Sequence, residues 1–193
     1  MHNLAVKYAP KEPYLVVQWR MESVDPELLE DCAHSLVDVL SRLLHDSVLA
    51  ANVTSVWFAS DYPYPVAKHG PSQRRPELIA KSGTFRDFDT QHEDAVEILR
   101  SAFNKQGELG DWMLTDFADA IVPEKGGETE LLHDSGVLAI LDKLVSMKAA
   151  LFVSGASRCS RRSSFTKQVV DARAEEGRQV GDSNLRNVVE VFG

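Results

Sequence analysis

The segment Ser154-Gly155-Ala156-Ser157-Arg158-Cys159-Ser160-Arg161-Arg162-Ser163-Ser164-Phe165 concentrates more usable chemistry than any other part of the chain. Small residues, hydroxyls and three arginines follow the apolar run Ala150-Leu151-Phe152-Val153 and precede the start of a helix. At a helix N-terminus, unpaired backbone N–H groups and the positive end of the helix dipole attract a phosphate group. The plainer reading is an exposed basic loop. A Walker A loop is excluded because the glycine-lysine-hydroxyl ending is absent, and no G-x-G-x-x-G occurs. A cysteine phosphatase loop would need an arginine where Phe165 stands. The serines beside Phe165 lack a nucleophile elbow, so helix capping is their expected role.

Two further residues follow apolar runs of strand type. Arg20 ends Tyr14-Leu15-Val16-Val17-Gln18-Trp19, and Asp61 follows Val53-Thr54-Ser55-Val56-Trp57-Phe58-Ala59-Ser60. In open α/β sheets ligands bind beyond the carboxyl ends of the strands, which is where both residues fall. A guanidinium is a permanent cation with a planar fork of donors suited to phosphate. For Arg20 the alternative is a surface ion pair with Glu22, and for Asp61 a turn residue at the strand end. His92-Glu93 lacks the second histidine of a zincin motif and the six histidines are scattered, so no metal is expected.

Elements that would position these residues are legible from periodicity. Ser23, Asp25 and Pro26 signal a helix start, with Leu28, Leu29, Cys32, Leu36, Val39, Leu40, Leu43 and Leu44 at helical spacing behind them. Strand, helix and strand in that order predict a parallel crossover. From Tyr62 to Asp89 the periodicity gives way to prolines, glycines and polar residues, which reads as a long surface loop. Thr90 and Glu93 have the spacing of a capping box for a helix that carries Ala95, Val96, Leu99 and Phe103 and stops near Gly107. A short third strand is expected at Trp112-Met113-Leu114-Thr115, and a glycine-rich, charged break at 124–130. Then come a helix from about Ser135 to Lys148, a strand at Ala150-Leu151-Phe152-Val153, a helix opened by Ser163-Ser164-Phe165-Thr166 and closed by Gly177, and a last strand from Asn187 to Phe192. This alternation predicts one α/β domain over residues 1–193, with a mostly parallel, doubly wound sheet.

Whole-chain properties narrow the class. The chain has 193 residues, enough to bury one core, and 44% hydrophobic with 26% charged residues is an ordinary globular balance. A formal charge of -8 disfavours non-specific attraction to nucleic acid or anionic membranes, so an anionic ligand must be met by a local cluster of donors. No transmembrane segment or signal peptide is apparent. Cys32 and Cys159 are too few for a disulfide framework; two reduced thiols are the plainer expectation and a single bridge in an oxidising compartment the alternative. Asn52-Val53-Thr54 satisfies the glycosylation sequon.

Taken in order, these segments resemble the donor-binding, C-terminal half of GDP-fucose protein O-fucosyltransferases and related GT-B fucosyltransferases. Val17-Gln18-Trp19-Arg20 is similar to the family's strand ending in His-x-Arg, with Gln18 where histidine is usual. Val56-Trp57-Phe58-Ala59-Ser60-Asp61 is similar to its strand ending in Ala-Thr-Asp. The run from Asp142 to Val153 resembles its aspartate-bearing helix and following strand, and Ser163-Ser164-Phe165-Thr166 resembles its pyrophosphate signature. The arginine-rich loop between them is longer than the family's, and the 62–89 loop has no counterpart.

The resemblance implies a Rossmann-like domain that binds GDP-fucose without a metal or other cofactor. Arg20 would bind the β-phosphate and stabilise the departing GDP in an inverting transfer. Ser163, Ser164 and Phe165 would seat the pyrophosphate, Asp142 would contact guanine or ribose, and Asp61 is a weaker candidate; without the resemblance Asp142 reads as a helix-surface carboxylate. The acceptor would be a protein or glycan hydroxyl, the compartment the ER or Golgi lumen, and the N-terminal acceptor-side domain is expected to be missing. Two alternatives are a non-catalytic nucleotide- or glycan-binding module and an unrelated doubly wound regulatory domain.

Overall fold

The computed structural model describes residues 1–11, 13–67, 88–117, 134–161, 163–180 and 185–193. Five parallel strands form one sheet: β1 (Leu15–Trp19), β2 (Ser55–Ser60), β3 (Met113–Thr115), β4 (Leu151–Ser154) and β5 (Arg186–Val188), in the order β3-β2-β1-β4-β5. The helices are α1 (His2–Tyr8), α2 (Leu29–His45), α3 (Thr90–Phe103), α4 (Ser135–Lys148) and α5 (Ser164–Val180).

The doubly wound arrangement follows from strands that are apolar on both sides. Every residue of β1, β2 and β4 is buried, as expected for parallel strands covered by helices on both faces. Side chains alternate across the sheet. Leu15, Val17, Trp19, Val56, Phe58, Leu151 and Val153 pack against α2 and α3, whereas Val16, Trp57, Ala59 and Phe152 pack beneath α1, α4 and α5. From β1 the chain winds outward to β2 and β3, then crosses to β4 and β5 on the other side. The order therefore reverses between β1 and β4, and at such a switch point the loops beyond the two strands diverge and leave a crevice.

Several boundaries differ from expectation. Asp89, not Thr90, caps α3: its carboxylate accepts from the His92 amide at 3.3 Å, and the His92 ring closes the reciprocal half of the capping box. Asx side chains cap better than a threonine one residue further on, and an imidazole can stand in for the glutamate. Helix α5 runs through Gly177 to Val180; a glycine lowers helix stability by only about 1 kcal/mol, and α5 is anchored from its buried face by Val169 and Arg173. Strand β5 ends at Val188, short of Phe192, because Val191 and Phe192 turn back over the sheet end, with the Val191 amide donating to the Ser154 carbonyl at 3.1 Å. The short helix α1 was not expected from sequence. Of the 62–89 loop only 62–67, Phe88 and Asp89 are described, and the 124–130 break lies outside the described residues.

Candidate functional site

Beside the switch point lies a cleft of about 180 Å³ at the carboxyl ends of β1 and β2, closed by α4 and by the N-terminus of α5, the helix that follows β4. Arg20, Asp61, Asp142, Ser163, Ser164 and Phe165, the six residues singled out by sequence, all line it. Gln18, Ala59, Ser60 and Ala139 complete the wall. Gln18 and Ala59 face this side of the sheet through the same two-residue alternation that sends Val16 and Trp57 there.

Arg20 leaves β1 directly into a 3-10 turn, Met21–Ser23. Its Nε donates to Glu22 Oε1 at 2.7 Å and its Nη2 donates to the same oxygen. The ion pair that served as the plainer reading is therefore formed, with the Glu22 side chain almost buried and the guanidinium about a third exposed. Asp61 holds the same turn from the opposite strand: its two carboxylate oxygens accept from the amides of Met21 at 2.8 Å and Glu22 at 3.0 Å. Burial raises its pKa from 3.8 to about 6, the two backbone donors opposing that rise and the nearby Glu22 carboxylate adding to it. Asp61 thus fixes the backbone that carries Arg20, a structural task beyond that of a strand-end turn.

Asp142 departs from the surface position that its helical setting alone suggested. It is 3% exposed, on the inner face of α4, where its Oδ1 accepts from the Trp57 indole Nε1 at 3.0 Å. Trp57 itself stands edge-on to Phe117 with ring centres 4.7 Å apart. A buried carboxylate needs such donors to offset lost hydration. The sequence reading missed this pairing, because the face that Trp57 shares with Gln18 is set by the register of β2 on β1.

Ser163 caps α5. Its hydroxyl oxygen accepts from the Thr166 amide at 3.2 Å and lies 3.0 Å from the Thr166 hydroxyl. Thr166 Oγ1 in turn donates to Gln18 Oε1 at 2.9 Å, tying the first turn of α5 to β1. The amides of Ser164 and Phe165, the first two of the helix, donate to none of the described residues. They are the kind of orphan donors that an anion satisfies.

The loop ahead of α5 is pinned at both sides. Cys159 is bonded to Cys32 of α2, with Cα atoms 5.5 Å apart, so the expectation of two reduced thiols is corrected; the long α2 brings Cys32 under a loop 127 residues away. The Cys159 carbonyl accepts from the Trp19 indole at 2.7 Å. Gly155 lies where a Cβ would come within 2.8 Å of Phe192 and Ser160, so only glycine lets the chain tail pass that close. Arg158 is exposed and pairs with Asp31 at 3.5 Å, away from the cleft. Arg161 does not line the cleft either, and Arg162 lies outside the described residues.

Around the cleft, charge is mixed. Arg20 and the α5 N-terminus offer donors to an anion, while Asp142 and Asp61, whose two oxygens hold the turn that carries Arg20, add carboxylates to the same cleft. A ligand matching both would carry phosphate at one end and N–H or hydroxyl donors at the other, as a nucleotide does. No group of three or more metal-ligating side chains occurs among the described residues, and no helix among them is long and apolar enough to cross a membrane. Among known proteins, no family model, no curated protein and no solved structure matches this chain.

Proposed function

We propose that the chain is the donor-binding domain of a glycosyltransferase, holding GDP-fucose in the switch-point cleft for transfer to a protein or glycan hydroxyl. The observation that carries this reading is convergence: six residues scattered from position 20 to position 165 meet around one cleft where doubly wound sheets bind ligands. In this reading Ser164 and Phe165 amides and Arg20 take the pyrophosphate, and Asp142 accepts from guanine or ribose. During transfer the acceptor oxygen attacks the sugar's anomeric carbon from the face opposite the leaving group. The bond to the β-phosphate oxygen breaks with its electron pair, and Arg20 with the α5 amides stabilises the charge that develops there. The acceptor's proton goes to a base outside the cleft residues named here, in keeping with a catalytic centre completed by a second domain. The Cys32–Cys159 bond supports residence in an oxidising compartment such as the ER or Golgi lumen.

Calorimetric titration with GDP-fucose, against ADP-ribose and UDP-glucose as controls, tests the reading. Selective binding that Arg20→Ala weakens about tenfold or more is expected, since a charge-assisted contact contributes roughly 1.5–3 kcal/mol. Binding that does not distinguish the three nucleotides would leave a general nucleotide module. One observation favours a non-catalytic module as the second reading: Gln18, where the resembled family has histidine, cannot exchange a proton and is already held by Thr166. Donor binding without transfer or hydrolysis, in a protein that also carries an acceptor domain, would decide for it.

A further inference from the structure

On the far side of the α5 N-terminus a second cavity, about 430 Å³, opens between β4, the loop behind it and the segment after β5. It shares Ser163 and Ser164 with the first cleft, so the first turn of α5 stands as a partition between the two. Beneath that turn lie neighbouring residues in register on adjacent strands, Gln18 of β1 and Ser154 of β4. Thr166 satisfies Gln18. No described residue satisfies Ser154: its side-chain oxygen is buried, with the residue 2% exposed, and it has no hydrogen-bond partner among the described residues. Buried hydroxyls are nearly always paired, and one that is not points to a partner absent from the protein itself.

We propose that this second cavity is a carbohydrate subsite, taking a neutral, polyhydroxylated group of about the size of a hexose. Its lining includes five hydroxyl-bearing residues, Ser154, Ser160, Ser163, Ser164 and Thr166; of these Ser160 accepts from the Arg20 amide, Ser163 accepts from the Thr166 amide and Thr166 donates to Gln18, which leaves Ser154 and Ser164. Among the described lining residues two cations, Arg161 and Lys167, are balanced by two acids, Asp171 and Glu190, and Lys167 is already paired with Asp171 at 2.5 Å. The formal charges of these side chains cancel, so they single out no anion. A sugar hydroxyl, being both donor and acceptor, can answer serine, carboxylate and ammonium groups alike. Val170 and Val189 supply the apolar surface against which the C–H face of a sugar ring packs. The assignment stands on this cavity and does not require a nucleotide in the first cleft.

Saturation-transfer NMR on the full chain, with L-fucose, D-mannose and D-glucose each at millimolar concentration, tests it, with inorganic phosphate as a separate arm. At least one hexose is expected to receive saturation. Val189→Trp, a change at an exposed position that fills the cavity, should abolish the signal. Ser154→Ala, which removes only the hydroxyl, should weaken binding about fivefold to tenfold. Arg20→Ala should leave hexose binding unchanged, so this test and the GDP-fucose titration fail separately. Thermal midpoints of the variants establish that each is folded; if Ser154→Ala is not, Val189→Trp carries the test. Absence of transfer to every hexose, transfer that survives Val189→Trp, or phosphate in place of hexose perturbing the amides of Ser154 and Thr166 would overturn the assignment.

Discussion

Arg20 meets the cleft already engaged, because Glu22, two residues on, takes both of its inward donors. An incoming phosphate must compete with that carboxylate. Glu22→Gln, which removes the competing charge, is expected to tighten GDP binding severalfold in the same titration; weaker binding would mean that the pair orients Arg20 for the ligand. Removing Arg20 alone leaves the nearly buried Glu22 carboxylate without its guanidinium, a cost of about 1–3 kcal/mol. Arg20→Ala should therefore lower the denaturation midpoint while remaining folded, and the double change with Glu22→Gln should recover part of the loss. Asp61 adds a pH dependence of definite sign. Its pKa is about 6 in the folded chain against an ordinary 3.8, so the folded state holds the proton more tightly. Stability from this group is full below pH 3.8 and is lost as pH rises through 6, by on the order of 3 kcal/mol. Urea unfolding of the unmodified chain and of Asp61→Asn across that range should differ by this declining contribution. Parallel pH profiles for the two would contradict it.

At the level of elements, the N-terminus of α5 joins both cavities, and its position is set from the middle of the helix as well as by its cap. Arg173, 1% exposed, donates from Nη1 to the carbonyls of Ser146, Met147 and Ala149, and from Nη2 to those of Ala150 and Arg186, while Nε reaches Asn187 Oδ1 at 2.6 Å. One guanidinium thus closes the C-terminus of α4 and binds α5 to the edge strand β5. Burial lowers its pKa to about 10, which leaves it charged at neutral pH. Arg173→Met keeps the volume but strands those carbonyls, and should cost about 3–5 kcal/mol in chemical denaturation; a loss under about 1 kcal/mol would show that water replaces the fan. On the other face the Cys32–Cys159 bond closes a span of 127 residues between α2 and the loop before α5. Reduction should destabilise the fold by about 4 kcal/mol, chiefly through the unfolded chain, and loosen the Ser163 cap. A thermal midpoint unmoved by reductant would exclude that contribution.

For the molecule as a whole, what sequence disclosed was set by periodicity and what it concealed was set by long-range contact. The doubly buried runs at Leu15–Trp19, Ser55–Ser60 and Leu151–Ser154 announced a parallel sheet, and the strand-end rule then placed Arg20, Asp61 and the Ser163–Phe165 segment on one edge. The partners of those residues were not legible. The bond from Trp57 to Asp142 spans 85 positions and that from Thr166 to Gln18 spans 148, and no local pattern encodes either. Arg173 gave no signal at all, since a helical arginine is ordinarily a solvated one. The disulfide required knowing that α2 passes beneath the loop. The unpaired Ser154 required the register of β1 on β4.

The central claim is that the switch-point cleft holds a guanine nucleotide through Arg20 and the first turn of α5. The most direct test is titration calorimetry of GDP-fucose into the unmodified chain and into Ser164→Glu, which puts a negative charge at the helix N-terminus without touching the core. The account predicts selective binding to the unmodified chain and a loss of about tenfold or more in the variant, as expected when a carboxylate occupies the positive end of the helix dipole and repels the ligand's phosphates. Equal affinity in the two proteins, with both folded, would contradict it.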